Sequence, residues 1–153
     1  MNKKIIPHIP FFLLTIWYSI IFWDPGRLTV GEAPDLISIY GLLMAFLVIS
    51  LLGKIFRWVH TDYFTTLYLV AWGILQWQAH WQDFFMGAPK NQVAAYNSHF
   101  SGTYRIMEPS ATQIIPDLYH TVMGVLLAIS IVIALTGVIK MMREHLAGSR
   151  TTK

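Results

Sequence analysis

The sequence predicts an all-α integral membrane bundle of four transmembrane helices, running up and down, with a partly structured outer loop. Composition is the first reason. Of 153 residues, 55% are hydrophobic and only 12% charged, and the mean hydropathy is +0.50, far from the soluble average. The second is the presence of four apolar runs, at 5–23, 36–53, 63–85 and 118–142, each near the roughly 20 helical residues needed to cross a hydrocarbon core. The third is charge placement. Lys3, Lys4, Lys54, Arg57, Lys140, Arg143, Arg150 and Lys153 fall on one side of those runs, against Arg27, Lys90 and Arg105 on the other. Basic residues mark the cytoplasmic side. The chain therefore reads as one transmembrane domain, 1–153, in a plasma (inner) membrane, with both termini cytoplasmic and the segments 24–35 and 86–115 outside.

The first run follows Lys3 and Lys4 but is long, bears Trp17 and ends in "FWDPGR" rather than small residues, so it reads as a retained span and not a cleaved signal. Pro7 and Pro10 sit where a helix's first turn tolerates a missing donor. After the turn-like "DPG" at 24–26, Pro34 opens the second helix. Lys54 and Arg57 lie at its end, where cations are favoured. Thr61 or Asp62 is placed to cap the third helix, and His60 reads as interfacial. The segment 86–115 is too long for a bare connection. Pro89 followed by Val93, Tyr96 and Phe100 predicts a short amphipathic helix on the outer surface. Ser110 and Gln113 have capping-box spacing ahead of the fourth helix. The terminal "REHLAGSRTTK" reads as a polar tail.

The formal charge of +3 calls for no nucleic acid, because the basic residues cluster where anionic lipid attracts them. The absence of cysteine excludes disulfides, iron–sulfur clusters and thiolate zinc sites. Trp23, Trp77, Trp81 and Trp58 fit aromatic belts, whereas Trp17 and Trp72 lie deeper.

Functional chemistry concentrates in two stretches, "WQAHWQD" at 77–83 and "PDLYHTVMG" at 116–124. His80 and Asp83 are three apart on the third helix, with Gln76 one turn below His80 on the same face. Asp117 and His120 repeat the spacing in reversed order on a helix of opposite direction, so the pairs can meet at matched depth. At about 1.5 Å rise per residue, each imidazole would lie roughly 4.5 Å deeper than its carboxylate. Gly124 and Ala128 continue the face as a small-xxx-small pattern that permits close approach. Tyr40, Thr15 and Ser19 are further hydrogen-bonding candidates, and Trp77 and Tyr40 join Gln76 as candidate pocket walls.

Three chemistries are open to this constellation. It can be interhelical hydrogen-bonding glue. It can be a zinc, iron or manganese site of His80, Asp83, Asp117 and His120, with His99 or Glu108 from the outer loop as added ligands, haem ligation by the His80–His120 pair being a less specific variant. Or it can be the metal-free polar end of a lipid or quinone pocket. The expected function is binding of a metal ion or a small lipid-like ligand in an outer-face His/Asp pocket. An accessory or assembly subunit of a larger membrane complex is the alternative, with the bilayer and other membrane subunits or further copies as partners. A small transporter is third, since no acid lies deep in a run. Whether the chain is an enzyme is not legible.

Overall fold

The computed structural model describes residues 8–23, 28–29 and 34–150. Helix α1 (Ile9–Ser19) continues into a 3-10 turn, Ile20–Phe22. Then come α2 (Ile39–Ile55) and α3 (Thr61–Gln76). A π-helical turn, Trp77–Trp81, joins α3 to α4 (Gln82–Met86), and α5 (Lys90–His99) and α6 (Leu118–Arg150) follow. No strand forms among the described residues; an isolated bridge pairs Arg105 with Asp117. The chain is all-α, as its periodicity predicts.

The helix ends follow from local chemistry but depart from expectation at several points: Pro34 does not open α2, which begins at Ile39, and α6 runs on to Arg150 through part of the stretch read as a polar tail. Pro10 lies in the first turn of α1, and Ser38 caps α2 by accepting from Gly41 N at 3.4 Å. Pro7, Lys3 and Lys4 lie outside the described residues, as do 24–27 and Lys153. Neither Thr61 nor Asp62 caps α3. The cap residue is His60, held in the left-handed region at φ 67° with no side-chain cap bond. Asp62 sits in the first turn, where its charge suits the helix dipole, and reaches Lys54 Nζ at 2.6 Å. Ser110 Oγ accepts from Gln113 N at 3.2 Å, yet bends rather than a helix follow. Gly87 closes α4 at φ 81°, a conformation that favours glycine.

Helix α1 packs on α2 and α6, and α3 packs on α2 and α6. Leu14, Leu47, Leu69, Trp72, Met123 and Leu127 meet in the shared core. The polar tips of aromatic residues tie the same helices together. Tyr18 Oη donates to Tyr40 O at 3.1 Å, Tyr68 Oη to Leu43 O at 2.9 Å, Tyr119 Oη to Tyr18 O at 3.2 Å and Trp17 Nε1 to Tyr119 O at 3.0 Å. Such bonds tie helices together where water does not compete, each with a net worth of about 0.5–1.5 kcal/mol.

Two helical stretches, Ile39–Phe56 and Leu118–Ala147, are long and apolar enough to cross a membrane, and Ile9–Phe22 is apolar but shorter. Only 22% and 17% of the two long stretches are buried inside the molecule. A soluble core helix would hide most of that surface.

Candidate functional site

The π turn occupies 77–81, the stretch that holds His80. Its bonds run from residue to residue five places on rather than four, and such turns are frequent at functional sites. Residues three apart across it no longer share a face, which separates His80 from Asp83. His80 turns toward α6 and its ring stacks on His120, with centroids 3.9 Å apart and planes at 29°. Asp83 turns to the cap, where its Oδ2 accepts from Gln92 Nε2 at 2.6 Å. The two imidazoles meet as the reversed motif predicts; the outer layer of two carboxylates does not form.

Asp117 plays two parts. Its Oδ1 accepts from the backbone N of His120 at 2.8 Å, which caps α6, and lies 2.8 Å from His120 Nδ1. The Asp-x-x-His spacing is thus an N-cap whose third residue is the histidine. The side chain of Asp117 is fully buried, and a carboxylate only accepts. Because Oδ1 already accepts from the backbone N of His120, Nδ1 is placed to donate to the same oxygen, with Nε2 the ring nitrogen left for a ligand. This carboxylate-oriented imidazole is the arrangement that general acid–base sites use.

Trp81, at the end of the π turn, holds α3 against α6. It lies over Gly124, where an added Cβ would come 2.7 Å from its ring. Gly124 serves close approach as predicted, with an indole rather than a helix backbone as the neighbour.

Helix α5 forms the lid. It spans Lys90–His99 with Pro89 ahead of it, as the sequence predicts, but its apolar face turns inward instead of lying along the outer surface. Val93 is buried, Tyr96 packs against Phe100 with tilted rings and centroids 4.3 Å apart, and Phe100 meets His120 edge-on at 5.6 Å. Arg105 fastens the end of α5 by donating to Asn97 Oδ1 at 2.7 Å and to the carbonyls of Asn97 and Phe100. Burial, followed by the charge of Asp117, pushes the Tyr96 hydroxyl well above its usual range. It stays protonated under the lid.

Beneath the lid is a cavity of about 180 Å³. His80, His99, His120, Gln76 and Tyr40 line it, with aromatic walls from Tyr18, Trp72, Phe100 and Tyr119. Three polar atoms at this cavity are buried without a partner: Trp72 Nε1, Gln76 Oε1 and His80 Nδ1. Buried polar groups are normally paired. In the sequence only its depth set Trp72 apart from the interfacial tryptophans. Trp77 does not reach the cavity. It lines a separate apolar groove of about 660 Å³ between α3 and α6, together with Trp81, Val125 and Ile131. Gln76 borders both spaces. Glu108 lies on the outer side of the cap in a shallow depression with Arg105 and Asn97.

The predicted metal set is not assembled. No group of three His, Asp or Glu side chains able to hold a metal ion forms among the described residues. Asp83 and Glu108 point elsewhere, and the His80 and His120 rings lie face to face. Near-parallel rings send their lone pairs along parallel lines, whereas a metal at about 2.0–2.1 Å needs them to converge. Face-to-face stacking also leaves no room for a porphyrin between the rings.

No protein-family model, curated protein or solved structure matches the chain.

Proposed function

We propose that the chain is an integral membrane protein of four spans that binds the polar head of a small lipid-like ligand in the cavity under its outer cap. One observation carries this reading: Trp72 Nε1, Gln76 Oε1 and His80 Nδ1 all lack partners around one aromatic-walled cavity. An indole N–H can only donate, so the occupant needs an acceptor facing Trp72. An amide oxygen only accepts, so the occupant also needs a donor facing Gln76 Oε1; the aromatic walls favour a planar head, and a hydroxylated quinone, with carbonyls and a hydroxyl on one ring, meets these demands. The groove between α3 and α6, reached past Gln76, offers an apolar path for a tail. Few polar anchors among apolar walls is the usual composition of such sites.

Calorimetric titration of a short-chain hydroxybenzoquinone into detergent-purified protein tests the reading. Saturable binding is expected, weakened roughly threefold to tenfold by Trp72→Phe or Gln76→Leu, the loss typical of one hydrogen bond. Binding that neither variant weakens would place the ligand elsewhere.

A membrane location is supported by the exposed apolar surfaces of α2 and α6, and the four-span topology by the four apolar runs and the charge asymmetry of the sequence. A reporter fused after Lys153 should be cytoplasmic and a tag inserted near Asn97 accessible from outside. Opposite labelling at both positions would reverse the orientation, and a cytoplasmic tag at Asn97 with a cytoplasmic C-terminus would break the span count.

A further inference from the structure

At the end of the molecule opposite the cap, a second cavity of about 210 Å³ lies among α1, α2, α3 and α6. Its polar groups are His8, Lys54, Asp62, Thr65 and Ser130. Thr65 and Ser130 are 0% and 3% exposed, and neither hydroxyl has a partner. Four other helical threonines do otherwise. Thr15, Thr66, Thr121 and Thr136 each bond the carbonyl four residues back at 2.7–2.9 Å, the usual refuge of a helical hydroxyl. Thr65 and Ser130 forgo it, as Ser50 does elsewhere in the core, but these two lie on helices that face one cavity.

The charges at the site are arranged asymmetrically. The Lys54 side chain is 14% exposed and the Asp62 side chain 51%, with Nζ to Oδ1 at 2.6 Å. An ammonium has three donors, and Asp62 takes one of them from the open side. The buried side therefore presents donors: the remaining ammonium hydrogens and the hydroxyls of Thr65 and Ser130. Beyond them the wall is apolar, formed by Phe11, Leu69 and Ile133.

We infer that this cavity is a second ligand site, for a carboxylate carried on an apolar stem. A single negative charge matches an ammonium already shared with Asp62, the hydroxyls donate to the carboxylate oxygens, and the stem packs on Phe11, Leu69 and Ile133. The acid can reach the site as a free short-chain molecule or as a fatty acid within the bilayer.

Both sources can be tested on the full chain, with hexanoate titrated into detergent-purified protein and oleate titrated into protein held in neutral-lipid nanodiscs. Saturable binding of at least one is expected, and which one identifies the source. Lys54→Met should weaken it by at least about tenfold and Thr65→Val or Ser130→Ala by about threefold or more. Asp62→Asn should leave binding intact or tighten it, since it removes a competitor for the ammonium. Thr65→Val supplies a measurement should Lys54→Met fail to fold, because it removes an unpartnered hydroxyl at nearly constant shape. The proposal is overturned if neither acid binds saturably, if the folded Lys54 and Thr65 variants bind as wild type does, or if Asp62→Asn abolishes binding.

Discussion

Asp117→Ala should lower stability by about 2–4 kcal/mol, the sum of a lost N-cap and of an imidazole left without its acceptor. The carboxylate is fully buried and serves His120 twice, through backbone N and ring Nδ1, so one substitution releases both groups. Asp117→Asn keeps a carbonyl oxygen for either bond and should cost clearly less. Thermal melting of the three proteins in one detergent checks the order, wild type above Asn above Ala. Equal melting of the Ala and Asn variants would mean that acceptance by Oδ1 does not hold this end of α6.

Gly124→Leu should be comparably severe, at roughly 3 kcal/mol, the upper range for overpacking. Even a Cβ at Gly124 would stand 2.7 Å from Trp81, and a whole leucine must drive the indole off α6. Because Trp81 ends the π turn that carries His80, the His80–His120 stack should open as well. Gly124→Leu combined with Trp81→Ala should recover part of the loss, since the small residue makes room for the large one. Measuring melting temperature across the two single variants and the double variant separates coupling from two independent defects.

The apolar runs made most of the helical layout legible. Period and caps also located α5, through Pro89 and the spacing of Val93, Tyr96 and Phe100. The reversed order of His80–Asp83 and Asp117–His120 predicted that the imidazoles meet, and they stack. What misled was the assumption of an unbroken α-helix through 77–83. The π turn is not written in any single residue type, and it is what sends Asp83 to Gln92. Asp117 is legible in hindsight as an N-cap, because an Asp three residues before His120 at a helix start has that geometry available. The pairing of Lys54 with Asp62 was hidden by the turn at 56–60, where Arg57 and His60 both take positive φ. The unpartnered atoms of Trp72, Thr65 and Ser130 follow from three-dimensional packing alone.

The central claim, that a ligand sits against Trp72, Gln76 and His80 beneath the cap, is tested most directly by native mass spectrometry of the protein released from its own membrane. A one-to-one organic adduct is expected on the wild-type chain and should be lost from the Trp72→Phe, Gln76→Leu double variant. A wild-type mass equal to that of the polypeptide alone, or an adduct retained equally by the double variant, would contradict it.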